Sequence, residues 1–316
     1  MSYKNRSVAV VVPCFNEETQ IKKVVDTMPR YVDHIVIIDD KSTDNTIQAV
    51  QKLAAQDERI CLIIHKENEG VGGAIASGYK WARDNEIDMA VVMAGDAQMD
   101  PDDLPALLDP IISDNVNYVK GNRLIYPQAR VLIPPVRYFG NSILSLLTKV
   151  ASGYWHVSDS QTGYTVIDAE ALNRIDWDNM YKRYGQPNDL LISLNIENMR
   201  VRDVPIRPVY GVGEQSGIKV SKVINKISGV LLRGFLRRML EKYIVRDFHP
   251  LVLFYALGLI QTVLGLGFLI RVIWIMTIGM EAPLASLIIC MFMFSMGMQA
   301  VLFAMLFDMQ ANRNLR

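Results

Sequence analysis

The stretch Val91-Val92-Met93-Ala94-Gly95-Asp96-Ala97-Gln98-Met99-Asp100-Pro101-Asp102-Asp103-Leu104 decides the fold. An apolar run stops abruptly in a cluster of acids. This is the pattern of a buried strand that delivers carboxylates to its C-terminal tip, the edge at which open α/β sheets bind ligands. Carboxylate oxygens at such a tip suit a hard divalent cation. Ala94 occupies the place where a second metal-facing acid would be convenient, so the stretch also asks how many ligands the protein supplies.

The flanking sequence repeats the theme. Val8 to Val12 is a continuous β-branched run, read as a buried parallel strand. Asn16 and Glu17 open a helical stretch through about Met28, which Pro29 helps to end. His34 to Ile38 is a second strand running into Asp39 and Asp40, followed by Ser42, Thr43 and Asp44 as caps of a helix to about Gln56. Ile60 to His65, a loop and helix over Gly70 to Asn85, and Met89 to Met93 continue the alternation, and Val116 to Lys120 is strand-like. Strands alternating with helices imply an α/β fold with a doubly wound, mostly parallel sheet. In such a sheet the acids after successive strands share one crevice. Single residues among them, Asp44 and Asp102 above all, serve equally well as helix caps.

Formal net charge is zero over 316 residues, which leaves no global footprint for nucleic acid. Cys14, Cys61 and Cys290 lie far apart and make no metal spacing; all three read as reduced, packed thiols. The chain opens with a polar segment and a strand rather than a signal peptide.

The C-terminal quarter reads as a membrane anchor. Neither Pro250 to Ile270 nor Ala282 to Phe307 contains a charged residue. At roughly 1.5 Å per residue each crosses a hydrocarbon core of about 30 Å. The short connector makes a hairpin of about 250–271 and 283–307. Lys219, Lys222, Lys226, Arg233, Arg237, Arg238, Lys242 and Arg246 face a single acid, Glu241, before the first span, whereas the outer connector carries only Arg271 and Glu281. By the positive-inside rule the N-terminal domain is cytoplasmic and the tail after Asp308 returns to that side. Leu231, Leu232, Phe235, Leu236, Met239, Leu240 and Tyr243 recur at helical spacing among these cations, as in an amphipathic helix lying in the headgroup layer. The expected division is a domain over 1–218, interface helices over 219–248 and the two-helix anchor over 249–316. The spans leave helix faces through which protomers can pack as a homo-oligomer. Val131 to Tyr154 forms another strongly apolar helix, either part of the domain core or dipping into the interface. Tyr210 to Lys219 is Gly-rich and suited to closing over a ligand.

The segments "VVVPCFNEE", "IVIIDDKSTDNT", "NEGVGGAIASGYKWA" and "GDAQMDPDDL" occur in this order and spacing, followed by "GNR" at Gly121 to Arg123, "DSQTGY" at Asp159 to Tyr164 and "VRDVPI" at Val201 to Ile206. Together they resemble family 2 glycosyltransferases of the GT-A fold. With the basic helix and the hairpin, the chain is similar to the branch that glycosylates polyprenyl phosphates, such as dolichyl or undecaprenyl phosphate. The resemblance implies transfer of a sugar from a nucleoside diphosphate, a UDP-sugar by preference, usually with inversion, and Mg2+ or Mn2+ to stabilise the leaving diphosphate. It places Pro13, Phe15, Asn16 and Glu17 around the nucleoside, Asp40 of the Asp39–Asp40 pair on the base, and Asn68, Gly70 and Gly73 beneath the nucleotide. The family pattern Asp-x-Asp-x-Gln falls on Ala94, Asp96 and Gln98, so Asp96 (with Gly95 beside it) and Gln98 would hold the metal, and Asp100 is either a cap or a further ligand. Arg123 would clamp phosphate oxygens. Asp159 and Gln161 would line the acceptor side, where Thr165 replaces a basic residue, leaving Arg130, Arg137 and Lys219 as candidates to meet an acceptor phosphate. A phosphate acceptor needs no general base; a hydroxyl acceptor, on a glycolipid or lipid-linked oligosaccharide, would need one, with Asp159 or Asp189 as candidates. A non-catalytic nucleotide-binding scaffold is the remaining alternative, motivated by Ala94.

Overall fold

The computed structural model describes residues 2–209, 220–281 and 283–316, with the backbone alone for 220–225. The loop 210–219, including Lys219, lies outside the described residues. The chain divides into two compact units, residues 1–235 with 315–316, and residues 236–314.

The first unit is a seven-stranded sheet in the order β3-β2-β1-β4-β6-β5-β7. Its strands are β1 (Val8–Cys14), β2 (His34–Asp39), β3 (Ile60–Ile64), β4 (Met89–Val92), β5 (Tyr118–Asn122), β6 (Thr165–Asp168) and β7 (Val201–Pro205). The first four strands are mutually parallel, β6 runs antiparallel between β4 and β5, and β7 pairs parallel with β5. The β-branched runs are buried on both faces, as an interior parallel strand requires. Ala9, Val11, Val36 and Ile38 join one core cluster and Val8, Val10, Val12, Ile35 and Ile37 the other, so successive residues feed opposite faces. Each such valine or isoleucine contributes about 1.5–3 kcal/mol of burial.

Around the sheet lie α1 (Ile21–Asp26), α2 (Thr46–Ala54), α3 (Val71–Asp84), α4 (Leu104–Ser113), α5 (Ala129–Leu132), α6 (Pro135–Ser152), α7 (Ala169–Arg174) and α8 (Gln186–Ile196). The first helix starts at Ile21, later than Asn16, because Asn16 adopts a left-handed φ of +58° and its side chain turns to Thr43. Asp100 caps the short helical turn that precedes α4, accepting from the Asp102 N–H at 3.0 Å. Helix α9 (Val220–Leu240) crosses the boundary between the units. Its Ile227 and Leu231 pack with Ala151, Ile192 and Ile196 of α6 and α8.

In the second unit a single π-helical turn, Glu241–Arg246, leads to α10 (Leu251–Thr277) and α11 (Leu284–Ala311), both long and apolar enough to cross a membrane. Along α10 the buried positions are Leu251, Gly258, Gly265 and Val272, a seven-residue seam against α11. A methyl on Gly258 would sit 2.9 Å from the Gly297 carbonyl oxygen, so the two backbones touch there. Most of the remaining surface of both helices is exposed Leu, Ile, Met and Phe.

Candidate functional site

The parallel half of the sheet brings the ends of β1, β2 and β4 to one edge. The antiparallel β6 extends that edge: Thr165, its first residue, pairs with Val92 near the end of β4 and with Lys120 of β5. The loop before β6 and the end of β5 therefore join the tips of β1, β2 and β4. Residues 123 and 159–164 thereby join residues 13–17, 39–42 and 95–98 at a common edge.

At the tip of β1 the Pro13 carbonyl accepts from the Gly95 N–H at 3.3 Å, tying the first motif to the acidic loop. A side chain at position 95 would lie 2.7 Å from the Cys14 sulfur and 3.3 Å from Glu17 Cγ, so glycine is what lets the two loops meet. Asp96 Oδ1 accepts from the Gln98 N–H at 3.1 Å, which closes the turn. Phe15 leaves 47% of its surface exposed, an apolar face available to a flat ligand. Asn16 and Glu17 are fixed through their backbones by Ser42 Oγ and Thr46 Oγ1.

The donor set here fits a divalent cation of modest protein coordination. Partial burial, then the neighbouring charges of Asp96 and Asp44, push the Glu17 carboxyl up from its ordinary 4.5 to about 7. Carboxylates that repel one another in this way form an oxygen site that a hard cation relieves. Among the described residues no three acids, histidines or cysteines converge as a cage. With Ala94 in place of an acid, the rest of a coordination shell would come from ligand oxygens and water.

The same shift gives a pH prediction. A carboxyl whose folded pKa is raised stabilises the fold while protonated, below its ordinary pKa, and loses that contribution as pH rises through about 7. Thermal melting of wild type and Glu17→Gln is expected to coincide near pH 4, below the ordinary pKa, and the variant is expected to melt higher at pH 8. An equal difference at both pH values would contradict this origin of the shift.

Asp39 and Asp40 are both buried and behave differently. Asp40 accepts from the Glu69 N–H at 2.8 Å, the Gly70 N–H at 2.7 Å and His65 Nδ1 at 2.9 Å, while its carbonyl accepts from Asn68 Nδ2. It organises the 68–70 loop. Asp39 Oδ2 accepts from the Ser42 N–H at 3.0 Å, and its Oδ1 has no partner. Gly70 has φ +85°, and a Cβ there would lie 2.7 Å from the Lys182 carbonyl oxygen. Gly73 donates to that carbonyl at 3.1 Å. Lys182 pairs with Glu69 at 2.7 Å and Arg183 donates to Asn68 Oδ1 at 2.9 Å. Sequence reading does not single out Lys182 and Arg183; their role depends on a fold-back across more than a hundred residues.

Farther along the same edge Arg123 holds Asp159 through three hydrogen bonds, from its N–H and Nε to Oδ2 (2.9 and 2.8 Å) and from Nη2 to Oδ1 (2.9 Å). Burial alone would raise the Asp159 carboxyl; the Arg123 hydrogen bonds and charge, with Lys120 behind them, outweigh it and hold it below the usual range. Asp189, in the first turn of α8, accepts from the Tyr181 N–H at 2.9 Å. Gln161 is half-buried, its amide donating to Ser160 Oγ at 3.3 Å. Arg130 of α5 and Arg137 of α6 are exposed.

Known proteins resemble this chain in sequence and, for one solved structure, in fold. The chain is 32% identical over 219 residues to the UDP-N-acetylglucosamine–dolichyl-phosphate N-acetylglucosaminyltransferase of Methanococcus voltae, covering 65% of this chain and 87% of that protein. It is 26% identical to the undecaprenyl-phosphate mannosyltransferase of Micrococcus luteus, covering 70% and 92%. Among solved structures it resembles glucosyl-3-phosphoglycerate synthase from Mycobacterium tuberculosis, crystallised with Mn2+, UDP and phosphoglyceric acid, at 20% identity and a TM-score of 0.54 over 74% of this chain and 79% of that one; this likeness shows the fold. The model of glycosyl transferase family 2 matches residues 9–176, from the first strand past the sixth, and the protein belongs to that family of glycosyltransferases.

Proposed function

We propose that the protein transfers a sugar from a nucleoside diphosphate, a UDP-sugar, to a polyprenyl phosphate at the cytoplasmic face of a membrane, with inversion at the anomeric carbon. Relatives that the chain covers over 87% and 92% of their lengths are named for transfer to dolichyl and undecaprenyl phosphate. One of them takes a UDP-sugar, and the solved structural neighbour holds UDP with Mn2+.

In this reading Phe15 and the 68–73 loop border the nucleoside, with Asn16, Glu17, Asp39 and Asp40 shaping its pocket. Asp96 and Gln98, with Glu17 beside them, would hold Mg2+ or Mn2+, which when bound neutralises charge on the leaving diphosphate. Arg123, fixed in plane by Asp159, presents its guanidinium to phosphate oxygens. One observation carries the acceptor assignment: both candidate bases are engaged. Asp159 is ion-paired and held more acidic than usual, and Asp189 accepts a backbone N–H. An acceptor that arrives already ionised needs neither. Asp189→Asn is therefore expected to keep turnover with polyprenyl phosphate within about threefold of wild type, measured with radiolabelled donor. A complete loss would favour a hydroxyl acceptor on a glycolipid or lipid-linked oligosaccharide.

The membrane assignment rests on exposed apolar surface. A soluble chain rarely exposes apolar patches of this extent. Helices α10 and α11 supply the anchor, and two spans return the tail to the side from which the chain enters the membrane. In the first unit α6 exposes Val136 (80%), Phe139 (68%) and Leu146 (57%) near Arg130 and Arg137, a face suited to an anionic lipid surface and to the tail of a lipid acceptor.

A further inference from the structure

Lys120 is a buried cation without a role in the reaction as read above. It lies on β5 with 1% of its side chain exposed. Its ammonium donates to the Ser158 carbonyl at 2.6 Å and the Asp159 carbonyl at 2.7 Å, and lies 3.7 Å from Asp203 Oδ1 of β7. The other oxygen of Asp203 accepts from the Ser158 N–H at 2.6 Å and from Asn122 Nδ2 at 2.6 Å. Two strands thus grip both polar groups of one short backbone segment. That segment needs gripping: Asp159 has φ +47°, a left-handed conformation that a residue with a side chain keeps only where its surroundings over-determine it. The same residue then holds Arg123 at two of its guanidinium nitrogens. A buried ammonium is costly to desolvate, and an apolar side chain would fill an interior strand position more cheaply. The hydrogen bonds to residues 158 and 159 are what the charge accomplishes.

We propose that Lys120, with Asp203 as its counterion, is a positioning residue: it fixes the backbone of Asp159 and through it the Arg123 guanidinium. This rests on reading Arg123 as the phosphate clamp. The test is a double-mutant cycle on turnover in the full chain, with thermal melting followed in parallel. Lys120→Met is expected to lower kcat roughly 10- to 100-fold, the scale on which small misplacements act, with donor KM changed much less. In an Arg123→Ala background the same substitution is expected to cost less than about twofold. Asp203→Asn serves the same cycle should Lys120→Met not fold. Equal factors in both backgrounds, or wild-type turnover in Lys120→Met, would overturn the proposal while leaving the Arg123 reading intact. Wild-type turnover in Arg123→Ala would overturn the clamp reading, and the Lys120 proposal with it.

Discussion

Asp96→Ala is expected to reduce sugar transfer by a factor on the order of 10³ or more, the scale of removing a group that stabilises transition-state charge, while the fold persists. Asp96 is half-buried in the turn that follows an interior strand, and its Oδ1 closes the turn to Gln98. In the proposed mechanism it is the principal protein ligand, because Ala94 offers no side-chain oxygen. Turnover under saturating donor and Mn2+, with a thermal melt on the same sample, separates loss of chemistry from loss of fold. The reciprocal variant sharpens the point. Ala94→Asp restores the family's first acid and is expected to lower the metal concentration giving half-maximal rate. Wild-type turnover in Asp96→Ala would remove the cation site from this loop.

The second large effect lies in the other unit. Arg238 and Asp308 are both fully buried and joined by two hydrogen bonds of 2.7 and 3.0 Å. Tyr243 Oη donates to Asp308 Oδ1 at 2.8 Å, Asn312 Nδ2 donates to the same carboxylate at 2.9 Å, and Lys242 donates to Asn312 Oδ1 at 2.9 Å. Asp308→Ala leaves the Arg238 guanidinium buried without its counter-charge, which costs about 3–5 kcal/mol. Denaturation of the purified chain in detergent is expected to show that loss, and Arg238→Met combined with Asp308→Leu is expected to recover much of it, because an apolar pair of similar volume avoids the desolvation cost. A single variant as stable as wild type would mean that water reaches the pair.

Parts of this account were legible in the sequence for physical reasons. Continuous β-branched runs such as Val8 to Val12 have one stable destination, the middle of a parallel sheet, and acids directly after them must lie at its edge. Two long uncharged stretches after a basic segment likewise admit few readings. What stayed hidden depends on pairing between distant residues. Strand β6 has only four residues, and nothing local states that it runs antiparallel, yet that reversal sets Asp159 and Arg123 beside the β4 tip. The engagement of Asp40 with the 69–70 backbone, the fold-back of Lys182 and Arg183, and the burial of Lys120 become visible only once those pairings exist. Arg238 reads in sequence as one more cation on an amphipathic helix; its partner lies seventy residues later.

The central claim is that this chain makes a glycosyl phosphate on a polyprenol. It is tested most directly by incubating the purified full-length protein with Mg2+ or Mn2+, a panel of radiolabelled nucleotide sugars and undecaprenyl or dolichyl phosphate, with and without EDTA, and following label into the lipid phase. The account predicts EDTA-sensitive transfer from at least one UDP-sugar to the polyprenyl phosphate and none to the free polyprenol. Absence of transfer to either lipid from every donor, or equal transfer to the free alcohol, would contradict it.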